Sequence, residues 1–303
     1  MRRYTLRQLD TFLEVVRTGS VSGAAEKLHV TQPAVSMQLR QLEDAFGVPL
    51  LEVVGRRVRL TEAGRDVEQC AAAAVARLKE LDDSLAGHRG LKKGKVDLAV
   101  VSTAKYFMPM LLVRFRNMYP DIAISLQIHN RESMMKLLGR NEVDLIIMGR
   151  VPDTMDCASA EFVTNPMGVV CAPNHPLSRR RGADFSVLQG QDFVVREQGS
   201  GTRSTMETLF AEHGVKANIV MEMPSNETIK QAVMAGMGMS FLSLRTVRHE
   251  LAAGHLVLLD IVGLPIIRHW FVTHLSAKRL SPAAEALKHF LIEEGGPLVK
   301  AWA

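Results

Sequence analysis

The sequence predicts two structural regimes joined by one long helix: a small all-α module with a two-stranded wing, then a larger α/β domain of two subdomains. Three observations carry this. Short amphipathic stripes with helix caps fill the first 47 residues, a proline-free helical stretch runs from Thr61 to about Leu85, and from Val96 onward apolar runs alternate with helical segments. A length of 303 residues suits about two compact domains. With 47% apolar and 23% charged residues, the chain is expected to fold rather than stay disordered. No charge-free apolar run reaches the roughly 18 residues of a spanning helix. The best candidate, 231–244, is short and carries Gly236 and Gly238. Two arginines near the start are followed by no apolar segment, so no secretory leader and a cytoplasmic location are expected.

The elements of the first module follow in order. Thr5 with Gln8 is a capping-box signal, and the row Leu6, Leu9, Leu13 and Val16 makes a helical stripe that stops near Gly19. Ser20 can cap a second, short helix through Ala24, Ala25 and Leu28. Thr31 is the expected N-cap of a third, with Pro33 in its first turn, where a missing N–H costs nothing; Gly47 and Pro49 close it. On that helix Val35, Leu39, Leu42 and Phe46 share one face. Pro33, Ser36, Met37 and Arg40 share the other, and Gln32 projects from its start. A short-chained, polar, lightly charged face suits a groove better than bulk solvent. This is the helix-turn-helix pattern, and LLEVVGRRVRL at 50–60 alternates about Gly55-Arg56-Arg57 like a winged hairpin with a basic tip. Arg56, Arg57 and Arg59 read either as an ordinary charged hairpin or, beside a helix-turn-helix, as phosphate contacts.

The net charge is +5, of which +4 lies in residues 1–95, so a polyanionic partner is expected for that part. Val67, Ala71, Ala74, Leu78, Leu81 and Leu85 repeat at spacings of four and three, an a/d seam along the long helix. Such a seam packs either on its own domain or on a second copy. Dimerisation is the preferred reading, and it sets two recognition helices about 34 Å, or a multiple of that, apart on DNA. Residues 88–95, HRGLKKGK, form a basic hinge.

Beyond Lys95, strands are predicted at 96–101, 122–128 and 145–148 with helices between them, then a second series near 167–172, 193–195, 219–221 and 240–242. A strand at 266–272 and a helix at 282–293 return to the first series. Crossovers near Thr164 and Pro265 would leave a cleft, and ligands bind beyond strand C-termini in open α/β sheets. Ser102, Thr103, Lys105, Asn130, Arg131, Gly149 and Arg150 follow strands, while Thr202, Arg203, Asn226 and Glu227 open helices. Four cations, Lys105, Arg131, Arg150 and Arg203, together with helix N-termini, point to a small anionic ligand, phosphorylated or carboxylated. Cys70, Cys157 and Cys171 form no disulfide framework, and reduced thiols are expected rather than a redox pair of Cys157 and Cys171. The ten histidines have no metal-ligand spacing, so neither a metal nor a cofactor is expected.

From Leu6 to Thr61 the chain resembles the DNA-binding domain of LysR-type transcriptional regulators. The resemblance is carried by Phe12, Gly19-Ser20, Ala24-Ala25, Thr31-Gln32-Pro33-Ala34-Val35-Ser36, Glu43, Gly47 and Leu60-Thr61-Glu62-Ala63-Gly64. It implies that Thr31, Gln32, Pro33 and Ser36 meet base edges or nearby backbone and that Arg40 and Arg56 or Arg57 meet phosphates. One departure is Leu51 and Val53-Val54, where many members carry an aromatic and an arginine. The remainder resembles the LysR effector domain, itself similar to type 2 periplasmic binding proteins. VSTAKYF at 101–107, IMGR at 147–150, GSGTR at 199–203 and the segment 225–244 look like the branch that controls Calvin-cycle carbon dioxide fixation operons. That branch implies an activator of Rubisco genes answering to a small metabolite such as ribulose bisphosphate, phosphoenolpyruvate or NADPH. It also implies an inverted-repeat double-stranded DNA site, a dimer of dimers and recruitment of RNA polymerase.

The expected division is 1–60 for the winged helix-turn-helix, 61–89 for the linker helix and 90–95 for the hinge. Residues 96–164 with 266–303 make one effector subdomain and 165–265 the other. Alternatives are a regulator of another operon, a solute-binding protein, or an enzyme on the same cleft. The chain has no G-x-S-x-G elbow and no Walker lysine motif, which disfavours the enzyme.

Overall fold

The computed structural model describes residues 4–54, 57–88 and 94–301. Gly55, Arg56 and residues 89–93, most of the expected hinge, lie outside the described residues. Residues 140–142 aside, the chain divides at 89/90 into two compact units.

The first unit contains α1 (Leu6–Thr18), α2 (Val21–Leu28), α3 (Gln32–Phe46), β1 (Leu51–Val54), β2 (Arg57–Leu60) and α4 (Glu62–His88). Thr5 and Gln8 form the capping box, and the Ser20 hydroxyl accepts from the Gly23 N–H at 3.0 Å. Thr31 behaves differently from expectation. Its backbone is extended as an N-cap requires, but its side chain makes no capping bond; its carbonyl accepts from Ala34 and Val35 instead. The buried stripe of α1 is also displaced: Leu9, Phe12 and Val15 are buried, while Leu6 is 49% exposed. The cause is packing, because α1 turns its Phe12 side onto the interior shared with Ala24, Val35 and Leu42.

Polar bonds brace this small core. Gln8 Nε2 donates to Gln41 Oε1 at 3.0 Å, and Thr11 Oγ1 lies 2.5 Å from Gln38 Oε1, so α1 and α3 are joined twice. Glu43 Oε1 accepts from the Leu50 and Leu51 N–H groups at 2.7 and 3.2 Å, which ties the wing to α3. A Cβ at Gly64 would stand 2.0 Å from the Leu50 carbonyl oxygen, so the first turn of α4 needs glycine to pass under the wing. The expected seam of α4 is divided. Ala71 is buried and Val67 packs beside it on the module's core, whereas Ala74, Leu78 and Leu81 are exposed. Of Leu85 only its helical backbone is described.

The second unit begins with β3 (Gly94–Val101), α5 (Met108–Met118), β4 (Ile122–His129), α6 (Arg131–Gly139) and β5 (Leu145–Met148). It continues through β6 (Cys157–Cys171), β7 (Asp192–Arg196), α7 (Gly201–Glu212), β8 (Asn218–Met223), α8 (Asn226–Met234), β9 (Ser240–Ser243) and α9 (Arg248–Ala252). β10 (Val257–Leu258), β11 (Ile266–Leu275), α10 (Pro282–Phe290) and α11 (Gly296–Ala301) complete it. The strand order β10-β6-β11-β5-β3-β4, with β9 also on β6, makes one seven-stranded sheet, and β7 and β8 form a separate parallel pair.

Of the expected crossovers, the one near Thr164 lies within a strand and the one near Pro265 stands just before β11. β6 spans 15 residues, pairing along 157–167 with β11 and along 167–170 with β9. Thr164 and Asn165 are therefore held in the ladder, opposite His269 and Arg268. Two aromatic interiors flank them. One gathers Phe107, Phe115, Trp270 and Phe290; the other gathers Phe185, Phe193, Phe210 and Phe241.

Candidate functional site

The first site is the outer surface of α3. Thr31, Gln32, Pro33, Ser36 and Arg40 are all exposed, while Val35, Leu39 and Leu42 on the opposite face are buried. Amphipathic spacing thus fixes which residues point away from the core. Met37, 56% exposed, shares that face. Of the wing arginines, Arg59 is exposed on β2, Arg57 has only its strand backbone described, and Arg56 lies outside the described residues.

The second site is a cleft of about 360 Å³ in the larger unit. Seven of the predicted residues line it: Ser102, Thr103, Asn130, Arg131, Gly149, Arg150 and Thr202. They arrive from three strand ends and one helix start. Ser102 and Thr103 leave β3, with the Ser102 N–H donating to the His129 carbonyl at 3.0 Å. Asn130 caps α6, its Oδ1 accepting from the Ser133 N–H, while its Nδ2 reaches Glu197 Oε1 at 3.4 Å. The α7 N-terminus closes the opposite wall. Ser200 is buried there and makes no side-chain cap bond, so its hydroxyl and the first amides of α7 are available to an anion.

The cations differ from the expected set. Arg131 and Arg150 line the cleft, joined by Arg196 and Arg268. Burial, then the adjacent Arg150 charge, hold the Arg131 guanidinium below its ordinary pKa, so the wall resists concentrating positive charge without an anion. Arg196 is 2% exposed, pairs with both Glu197 oxygens at 2.8 and 3.0 Å, and donates to Asn226 Oδ1 at 2.9 Å. Arg203 turns away from the cleft: its Nε bonds Glu207 one turn on at 2.6 Å and its Nη1 bonds the Arg196 carbonyl. Lys105 stands 5.1 Å from the Tyr106 ring centre, and Glu227 accepts from the Tyr106 hydroxyl and pairs with Lys230 at 2.8 Å. Neither lines the cleft. Asn226 acts from behind the wall, through Arg196.

Arg196 ends a strand, the same signal that picks out Ser102 and Arg150, and so was findable. Arg268 and Trp270 sit inside β11 and are brought to the cleft by register alone, Arg268 opposite Asn165. Asn165 itself accepts from the Ser243 hydroxyl at 2.6 Å. The Trp270 Nε1–H is buried with no partner among the described residues. The arrangement can hold a small, multiply charged anion among hydroxyls, amides and guanidinium groups. Burial pushes the Cys171 thiol up to about 11, which removes its nucleophilic thiolate at neutral pH. Among the described residues no group of three metal-ligating side chains occurs, and no helix is long and apolar enough to cross a membrane.

Comparison with known proteins finds matches to both halves of the chain. Residues 6–65 match the lysR family of bacterial regulatory helix-turn-helix proteins, and residues 89–296 match the LysR substrate binding domain. A RuBisCO operon transcriptional regulator of Allochromatium vinosum is 43% identical over 290 residues, covering 96% of each chain. The regulator CbbR of Rhodospirillum rubrum is 46% identical over 286 residues, covering 94% of this chain and 95% of its own. The CcmR regulatory domain of Synechocystis, solved in complex with 2-PG, is 39% identical with a TM-score of 0.64, covering 66% of this chain and 96% of that one. The chain belongs to the LysR family: it is a transcriptional regulator, not an enzyme, that joins a DNA-binding helix-turn-helix to a domain for a small-molecule effector.

Proposed function

We propose that this protein controls carbon dioxide fixation genes, as an activator that recruits RNA polymerase in answer to a small anionic metabolite. The observation that carries the gene assignment is near end-to-end identity of 43% to a regulator named for the RuBisCO operon. The ligand class rests on the cleft, where guanidinium groups and the α7 amides suit a phosphate or carboxylate such as both groups of 2-phosphoglycolate. Effector binding draws together the two α/β subdomains, 96–164 with 266–303 and 165–265. The ligand shifts the balance only in so far as it binds one arrangement better than the other.

On DNA, Thr31, Gln32, Pro33 and Ser36 meet base edges while Arg40, Arg56 and Arg57 meet phosphates of an inverted repeat. Self-association as a dimer of dimers needs two different surfaces. The exposed Leu78 and Leu81 of the 61–89 linker helix supply one. The second is edge strand β8, where Ile219, Val220 and Met221 are all exposed. The Leu78→Glu/Leu81→Glu double variant is expected to sediment as a smaller species; an unchanged species would remove the helix from the interface. The effector assignment is tested by calorimetric titration of 2-phosphoglycolate into the full chain. Saturable binding that weakens about tenfold or more in Arg131→Ala is expected. Equal affinity of the two proteins would overturn the cleft as the site.

A further inference from the structure

One face of β11 forms part of the cleft wall. The ladder with β6 sets Ile266 opposite Met167 and Arg268 opposite Asn165. Directly opposed residues of an antiparallel pair share a face, as do residues two apart on one strand. Met167, Asn165, Ile266, Arg268 and Trp270 therefore form one patch, and all five line the cleft. Pro166, on the other face of β6, lines a separate cavity. Two donors on the patch have no acceptor among the described residues: the exposed Arg268 guanidinium and the buried Trp270 Nε1–H. The other arginines of the cleft are already engaged. Arg150 faces Asp153 at 2.9 Å, Arg196 holds Glu197, and Arg131 donates to the Arg150 carbonyl. A carbonyl cancels no charge, so of these four arginines two stay unbalanced, Arg131 at the strand ends and Arg268 on the ladder. The cleft is also long for a single anion. Gly201, Thr205, Thr208 and Glu212 line it as one stripe of α7, which at the helical rise runs about 16 Å. The start of the stripe offers free amides to an anion, and its far end carries the Glu212 carboxylate.

Taking the cleft as the effector site, as proposed above, we infer that Arg268 determines its specificity: it binds the second anionic group of a small molecule charged at both ends, whose first group is held by Arg131 and the α7 N-terminus. A planar guanidinium meets a carboxylate or phosphate through two parallel hydrogen bonds, and Arg268 has no internal ion pair to give up in doing so. A ligand with one anionic end leaves Arg268 unmatched and gains only the first set of contacts. Two walls, each with one unbalanced cation, thus select for separated charges on the ligand, where a single cluster of arginines would select for one highly charged group.

The test is calorimetric titration of the full-length protein with matched probes: 2-phosphoglycolate against ethyl phosphate, and pentanediol bisphosphate against pentyl phosphate. Each pair keeps one phosphate and removes the second anionic group. At least one two-ended probe is expected to bind the unmodified protein about tenfold or more tighter than its one-ended partner, and Arg268→Gln to reduce that advantage to about twofold or less. The one-ended probes are expected to bind both proteins alike. Arg268 is exposed and unpaired, so the variant is expected to fold as the unmodified protein does. No advantage for either two-ended probe, an advantage that survives Arg268→Gln, or equal weakening of one-ended and two-ended probes would each overturn the proposal. Binding weakened in Arg131→Ala but not in Arg268→Gln would leave the cleft as the effector site and remove Arg268 from it. Absence of binding by every probe would remove both.

Discussion

The outer face of α3, proposed to meet DNA, and the cleft, proposed to take the effector, are built in contrasting ways. The α3 face is ten consecutive residues, Thr31 to Arg40, whose polar groups stand exposed on a helix held from behind by Val35, Leu39 and Leu42. The cleft gathers side chains from residue 101 to residue 270, and its most buried arginine is already bonded before any ligand arrives. A DNA surface must present donors to a large, rigid partner that brings its own charge. A metabolite site must replace the water around a small anion, so its cations are fixed in advance by their own network. The lesson is that the α3 face stands exposed with little pairing, whereas the cleft sets one buried and already bonded arginine, Arg196, behind the more exposed Arg150 and Arg268.

The sharpest way to break this contrast is Arg196→Ala. Removing a 2%-exposed guanidinium leaves Glu197 and Asn226 without their partner, so a loss of about 3–5 kcal/mol is expected in chemical denaturation of the full chain. A loss under about 1 kcal/mol would mean that the network is not what holds the cleft wall.

Gln32→Ala on the exposed face is expected to leave stability alone. Its effect is a loss of about 1–3 kcal/mol of discrimination at one base pair, read by binding to operator variants. Uniform weakening across all variants would reassign Gln32 to the backbone. Arg40→Ala is expected to do just that, lowering the slope of log affinity against log salt by about 1; an unchanged slope would take Arg40 off the phosphates.

The smallest effect concerns two caps that look alike in sequence. Ser20→Ala should cost about 1 kcal/mol because its hydroxyl caps Gly23, whereas Thr31→Ala should cost only a few tenths, since its side chain makes no cap bond. Equal costs would show that backbone geometry, and not the hydroxyl, sets both helix starts. A Thr31 hydroxyl free of capping is also one left over for DNA.

Much of the smaller unit was legible because its determinants are local. Caps, glycine stops and a 3.6-residue period place α1 to α3 within a residue or two, although the buried face of α1 centres on Phe12 and not on the row that begins at Leu6. The long helix was legible as a helix, but its seam was not legible as a surface. Which of its apolar residues remain exposed depends on how far the module's core reaches along it, and it reaches Ala71. In the larger unit the strand ends named Ser102, Thr103, Asn130, Arg131 and Arg150 as neighbours, since parallel strands deliver their C-termini to one edge.

Periodicity, caps and glycine stops were enough for the helices of the smaller unit and the outward face of α3, and the family was legible as a resemblance in contiguous motifs. Which cations share the cleft is settled by long-range packing. Arg203 and Arg196 lie seven residues apart, on either side of the same turn; one follows its helix face to Glu207 and the other follows its strand into the wall. Arg268 reaches the cleft through a ladder partner more than a hundred residues away. Side-chain direction at such places is set by long-range register and packing, and neither is encoded in the spacing of nearby residues.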